Sequence, residues 1–361
     1  MAAVRAPLLL FPLLILAASC AAQDGGPRFQ CSGAATRCQA LAGYPVDNET
    51  TYDAIRTLFQ VKSIRTLYGF NNLSATTPIS TRVPAGKIVK VPFPCTCANG
   101  TGVADPRPIY TVVAGDTLYN IATVNFKGLL KYQQIIAANP IIVNESLIEV
   151  GWRLRIPVPC NCDAVDGVEA VHLAHVVAKG SSLETIATQF GTTQEILSRI
   201  NNISDPKSLE AGQVLDVPLT VCNSSIRSDS RDYVSLRVPV GSYALTAGNC
   251  VKCSCGSSSS LLQCEMAQNL NISRGSCRAE TCSAPAGASG PTSLGDSVLN
   301  ACGSTRCEYA GFNSSLIFTA IVNEPTCGPA SGAHALWPQP WSWMRLLLPP
   351  LQTALLLLAL L

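Results

Sequence analysis

Apolar and polar positions between residues 110 and 218 follow one pattern twice. YTVVAGDTLYNIAT, from Tyr110, aligns with AHVVAKGSSLETIAT, from Ala174, with one residue inserted at Lys179. Val112, Val113, Gly115, Leu118, Ile121 and Ala122 match Val176, Val177, Gly180, Leu183, Ile186 and Ala187. In the earlier copy, β-branched Thr111–Val113 predicts a strand, and Asp116 or Thr117 a helix cap. Leu118, Ile121 and Ala122 then stand three and four apart, on one helical face. Leu130, Ile135, Ile136 and Ala138 predict a second helix that stops at Asn139-Pro140, because the residue before proline avoids helical backbone. Arg153–Ile156 predicts a closing strand.

The later halves repeat too. Asn139 answers Asn201, and EVGWRLRIP (Glu149–Pro157) answers EAGQVLDVP (Glu210–Pro218). A weaker copy lies upstream, where Tyr52, Ile55, Asn71 and PAGKIVKVP (Pro84–Pro92) fall in the same order. The fold class expected is therefore α+β: three small tandem βααβ units over 51–97, 109–158 and 174–220. Each pairs its two strands antiparallel with both helices on one side.

Units of this size bury little surface alone. The cysteines supply the remedy. Cys95-Thr-Cys97 and Cys160-Asn-Cys162 sit at the junctions, with Cys31 and Cys38 in the 23–50 segment ahead of them. Zinc sites favour C-x-x-C spacing, so disulfides are expected and no metal. Six cysteines allow about fifteen pairings, and three bridges add about 2–4 kcal/mol each. At Cys222 the repeat stops, and ten cysteines run from there to Cys327, which predicts a disulfide-stapled, loop- and β-rich domain over 222–330. There Cys250 and Cys253 suggest structural bridging rather than redox chemistry, and Ala284–Ser293 a loop.

Composition places the chain outside the cytosol. It has 361 residues, seventeen cysteines and a formal charge of +2 without a basic cluster, which excludes nucleic acid as a partner. Residues 1–22, with Arg5 before a leucine run and small residues after, predict a secretory signal peptide. Its removal takes Cys20 and leaves sixteen cysteines. The other terminus has small residues at 330–333, a spacer and an apolar stretch from Leu346. This order predicts a GPI-attachment signal, with Ser331 as the attachment residue and 331–361 removed. The run is broken by Pro349, Pro350 and Gln352 and has no cytoplasmic basic flank after it, unlike a transmembrane helix. Eight N-x-S/T sequons, at Asn48, Asn72, Asn99, Asn144, Asn202, Asn223, Asn271 and Asn313, predict a glycosylated ectodomain.

The GDTL turn, the Asn-Pro and the closing LRIP strand resemble LysM modules. Three such units separated by C-x-C pairs, with a signal peptide and a GPI-type tail, resemble the plant GPI-anchored LysM receptor-like proteins that perceive chitin and peptidoglycan. The upstream copy departs most, since it has no GDT turn. The resemblance implies disulfides Cys31–Cys97, Cys38–Cys162 and Cys95–Cys160. It also implies a shallow groove for N-acetylglucosamine polymers between two loops. In the second unit these are Ala114, Gly115, Asp116, Thr117 and Leu118, facing Asn139, Pro140, Ile141, Ile142 and Val143. Exposed backbone there pairs with the sugar amide, while apolar side chains hold its methyl group.

Sequons follow directly on Asn71 and Asn201, so glycans at Asn72 and Asn202 crowd the grooves of units one and three. Asn144 lies five residues past Asn139, and unit two is expected to be the open site.

Binding, rather than catalysis, is the expected activity. Hydrolysis needs paired carboxylates or a nucleophile with its base. Glu149 and Glu210 recur by repetition and read as turn residues. His172 and His175 have no evident third ligand, and no cofactor is expected. A wall-lytic hydrolase or a passive wall anchor is the alternative. A GPI anchor reaches only the outer leaflet, so a signal requires a transmembrane partner, which the resemblance implies is a LysM receptor kinase. A bound polymer also favours a homodimer.

Overall fold

The computed structural model describes residues 29–33, 36–257, 260–268, 270, 277, 280–283, 290–300, 303–313 and 316–325. The signal peptide, Asn271 and Ser331 with the GPI signal lie outside the described residues.

Unit one runs β1 (Arg37–Pro45), β2 (Thr50–Thr51), α1 (Tyr52–Leu58), α2 (Ile64–Phe70), β3 (Arg82–Val83) and β4 (Ile88–Ala98). The Thr51 hydroxyl accepts from the Ala54 amide at 3.1 Å and starts α1. The strand that pairs antiparallel with β4 is β1, ahead of the boundary expected at residue 51. Ala40, Leu41 and Ala42 are all buried, because β1 is covered on both faces, so it lacks the alternation that marks a half-exposed strand. After β5 (Thr101–Ala104), unit two has β6 (Ile109–Thr111), α3 (Leu118–Asn120), α4 (Tyr132–Ala138) and β7 (Arg153–Arg155), with a π-helical turn, Ile121–Asn125, prolonging α3. Its first strand ends earlier than the Thr111–Val113 expected. The Val113 amide donates to the Asp116 carboxylate at 2.8 Å and so belongs to the turn. Unit three has β8 (Ala170–Val176), α5 (Leu183–Phe190), α6 (Gln194–Ile200) and β9 (Val214–Thr220).

The same amide clamp closes all three units. Asn139 Nδ2 donates to the Ile135 and Arg155 carbonyls, both at 2.8 Å, and its Oδ1 accepts from the Arg155 amide at 2.7 Å. Asn201 does this with Leu197 and Asp216, and Asn71 with Leu67 and Lys90. One side chain thereby ties the end of the second helix to the closing strand.

Units one and three share a five-stranded sheet in the order β5-β4-β1-β8-β9, in which β1 and β8 run parallel. Unit two keeps its own two-stranded pair. It joins unit one through edge-to-face rings Tyr44–Phe59–Phe126–Tyr110, with centroids 5.7, 5.5 and 6.1 Å apart. The Lys127 ammonium also meets the Asp47 carboxylate at 2.9 Å. Disulfides Cys31–Cys97, Cys38–Cys162 and Cys95–Cys160 cross the junctions. Gly102 is obligatory beside them, since a Cβ there would lie 1.9 Å from the Cys160 carbonyl oxygen.

The cysteine-rich region comprises β10 (Ser242–Thr246), β11 (Val251–Cys255), β12 (Gln263–Met266), β13 (Thr281–Cys282), β14 (Thr292–Ser293), β15 (Ser297–Asn300), β16 (Gly303–Phe312) and β17 (Ile317–Pro325). Its disulfides are Cys222–Cys255, Cys250–Cys277, Cys253–Cys264 and Cys282–Cys307, so Cys250 and Cys253 bridge elsewhere rather than to each other. Thr292–Ser293, expected in a loop, pairs with β13. The Asp232 carboxylate lies buried under the hydroxyls of Ser230, Thr246 and Tyr309, which satisfies its charge. The region touches unit three, where Arg237 meets Glu169 at 2.7 Å and the Val240 amide donates to the Thr220 carbonyl at 3.0 Å, and it docks on unit one as well. The Tyr243 hydroxyl donates to the Leu73 carbonyl at 2.6 Å, and Gly69 leaves no room for a Cβ, which would stand 2.2 Å from the Tyr243 carbonyl oxygen.

Candidate functional site

The first loop of unit two is built by one carboxylate. Asp116 Oδ2 accepts from the Val113 amide and, at 2.9 Å, from the Tyr110 hydroxyl. Burial and this carboxylate push the Tyr110 phenol up to about 12. Gly115 takes the left-handed backbone the turn needs, at φ +87°. Thr117 is the N-cap, its hydroxyl accepting from the Asn120 amide at 3.0 Å. Asp116 and Thr117 thus both act, one closing the turn and the other starting the helix.

Two depressions flank this unit. One, of about 470 Å³, is lined by Asp116, Thr117, Leu118 and Tyr119 of the first loop, by Tyr132, and by Glu145, Ser146 and Ile148. The other, of about 430 Å³, has Pro140 and Ile141 beside Ile109, Arg153 and Arg155. The two expected loops thus line separate depressions, the first loop one and Asn139, Pro140 and Ile141 the other. The depression beside the first loop is lined by residues further along the second, Glu145, Ser146 and Ile148, while within Asn139–Ile142 the buried side chains are Asn139 and Ile142. Asn139 is only 4% exposed with its amide spent in the clamp, although it also lines the second depression, and Ile142 is buried in the core. Leu118 is buried as well and contributes floor. Ala114 and Gly115 are exposed but line neither depression. Val143 is 95% exposed.

Tyr119, 62% exposed, Tyr132, Glu145, Ser146 and Ile148 were missed by sequence reasoning. The exposed aromatic at the second position of the helix was the available signal. Asn144, expected to stand clear, adjoins Glu145 and Ser146, and its Oδ1 accepts from the Ser146 amide at 3.0 Å. A glycan there borders the depression.

Sulfurs of Cys38, Cys95 and Cys162 lie within 4.8 Å of one another, but all three are disulfide-bonded and offer no thiolate. The two histidines also serve structure. His172 Nδ1 meets Asp216 Oδ1 at 2.6 Å and Nε2 meets the Asp163 carbonyl at 2.8 Å. Burial opposes its charge, but Asp216 and the Asp163 carbonyl outweigh this and hold its pKa above the ordinary value. Both partners are acceptors, which favours the doubly protonated ring. His175 packs edge-on to Phe190 at 5.0 Å, and burial lowers its pKa to about 4.

Against known proteins, the LysM domain model matches residues 110–157 and 175–218. LysM domain-containing GPI-anchored protein 2 of Arabidopsis thaliana is 41% identical over 308 residues, 84% of either chain. Chitin elicitor-binding protein of Oryza sativa subsp. japonica is 37% identical over 320 residues, covering 86% of this chain and 87% of that one. A crystallised receptor-like kinase ectodomain matches at TM-score 0.43 and 23% identity, over 50% of this chain and 91% of that one. Units two and three are thus LysM domains. The chain belongs to the family of plant LysM domain-containing GPI-anchored proteins. Among the described residues, no helix is long and apolar enough to cross a membrane.

Proposed function

We propose that this chain is a cell-surface receptor-like protein for polymers of N-acetylglucosamine, chitin oligosaccharides and peptidoglycan, with unit two as its main site. The observation that carries this reading is the distribution of exposed apolar side chains. Among the described residues, the large apolar side chains exposed in unit two are Val113, Tyr119, Val124, Ile141, Val143, Leu147 and Val150, against Ile79 in unit one and none in unit three. Apolar surface gathered around a polar depression marks a binding site. A sugar ring offers an apolar face for Tyr119 and an acetyl methyl for the aliphatic loop, while its hydroxyls meet Thr117, Glu145 and Ser146. The name of the rice relative, a chitin elicitor-binding protein, supports the ligand class.

Unit one is on this reading a third, divergent LysM module, supported by its βααβ order and its Asn71 clamp. Attachment through a GPI anchor at Ser331 places the domain outside the plasma membrane. Signalling then runs through a transmembrane partner, a LysM receptor kinase. A polymer engaging two copies as a homodimer gains avidity of about 10²–10⁴ over one site.

Calorimetric titration of the ectodomain with chitin octamer and with soluble peptidoglycan fragments, assayed in parallel for cleavage, tests the proposal. Saturable heat with intact sugar is expected. Shortened sugar would favour a hydrolase, and no heat from either ligand would leave a passive anchor.

A further inference from the structure

We propose that the cleft between units two and three is filled by the chain's own glycan at Asn202, whose first two sugars seat there as a tethered ligand. The cleft encloses about 550 Å³. Lys131 of unit two lines it together with Glu210 and Gln213 of unit three, and so do Phe29 and Gln30. Asn202 lines this cleft and also the adjoining one, of about 400 Å³, beside His172 and Arg199. Its residue is exposed and has a left-handed backbone, at φ +53°. The preceding Asn201 is locked by its clamp to Leu197 and Asp216, so the attachment point is held in place.

The chemistry matches. An N-linked glycan begins with two β-1,4-linked N-acetylglucosamines, each carrying hydroxyls and an acetamide that donate and accept. The lining offers the same mixture: an ammonium, a carboxylate, a primary amide and the backbone of the Glu210–Gln213 turn. The volume lies within the range of about 300–1,000 Å³ usual for small-ligand sites. Tethering removes the need for high affinity. At an effective concentration on the order of millimolar, a site with a millimolar Kd is about half filled.

Asn72 holds the same position in unit one, but neither cleft includes it. Its neighbour Leu73 is instead met by Tyr243 of the cysteine-rich region. Protein covers that side of unit one where the glycan covers unit three. Unit two has no strand in the five-stranded sheet, so a sugar wedged against Lys131 braces the one unit that the sheet leaves out.

The inference rests on the reading of the chain as a secreted glycoprotein, which the occupancy of Asn99 checks separately. Asn99 and Gly100 form the turn between β4 and β5, and Asn99 is exposed. The ectodomain is secreted with high-mannose glycans and treated, folded, with an endoglycosidase that cuts between the first two sugars. Glycopeptide mass spectrometry follows each site. Trimming at Asn202 is expected to be at least about tenfold slower than at Asn99, a ratio that denaturation abolishes and Ala211→Trp, which fills the cleft, brings toward unity. Independently, Ser204→Ala, which removes the sequon, is expected to speed amide exchange at Gly128–Lys131 and Glu210–Gln213. Equal trimming at the two sites, a slow rate unchanged by Ala211→Trp, or unchanged exchange would overturn the proposal. An unmodified Asn202 beside a glycosylated Asn99 would overturn it alone, and bare asparagines at both would overturn the glycoprotein reading with it.

Discussion

Replacing Asn139 by alanine separates a structural asparagine from a sugar contact. The substitution deletes two donated bonds and one accepted bond, all 2.7–2.8 Å long. It leaves the Ile135 and Arg155 carbonyls and the Arg155 amide without those partners. An orphaned buried group costs about 1–3 kcal/mol. The Arg155 groups are half-buried and recover some hydration, so about 3 kcal/mol for the set is the working figure. At about 2–4 °C per kcal/mol for a body of this size, Tm falls by about 6–12 °C. Asn139→Asp should be at least as damaging at neutral pH, because its carboxylate faces two carbonyl oxygens, and should recover partly in acid. Asn71→Ala and Asn201→Ala should behave alike, since the clamp is the same. Thermal melting with disulfides intact measures the loss, and titration with chitin octamer well below Tm measures binding. An unchanged Tm with binding abolished would refute the reasoning and return Asn139 to the sugar.

Tyr119→Ala should weaken chitin octamer binding about tenfold with Tm unmoved, since its ring is exposed; equal affinity would remove it from the site. Gly69→Ala should destabilise by about 1–3 kcal/mol and free the cysteine-rich region from α2, because its methyl overlaps the Tyr243 carbonyl. Limited proteolysis between residues 221 and 241 reads that release, and an unchanged cleavage pattern counts against it. The histidines give a pH profile with two limbs. The pKa of His172 is raised above 6.5 in the fold, so its contribution is complete below 6.5 and is lost as pH rises through the raised value. That of His175 is lowered to about 4, so stability is lost as pH falls from 6.5 toward 4. Melting of His172→Gln should lack the alkaline limb and that of His175→Gln the acid limb; an alkaline limb that survives the first substitution would show that another group carries it.

Much of this molecule is legible in its residues because the interactions concerned span only a few positions. The Thr117 cap, the Gly115 turn and the stop at Asn139-Pro140 are settled by backbone sterics and hydrogen bonds within one or two turns of chain, and units two and three emerge from them. The alignment of Asn71, Asn139 and Asn201 likewise marks a shared role. The clamp that carries this role was not read from the sequence. A polar residue in a loop looks like a ligand contact until the carbonyl of Arg155, sixteen residues away, is brought onto its amide.

Other features depend on pairings between segments far apart. Nothing within Arg37–Pro45 announces that its partner on one edge is β8, with Leu41 opposite Leu173. Nor does Tyr243 reveal that it will close against unit one. The site shows the same division. The turn at Asp116 is local and was legible. Which residues oppose it is decided by how the second loop packs, and that packing buries Ile142 while leaving Val143 in water. The sequence by itself determined the repeated elements, their caps and the cysteines available to join them. Only the tertiary structure decided which repeats share a sheet, which face stays open and what stands across it, since burial is a property of contacts between residues that the chain keeps far apart.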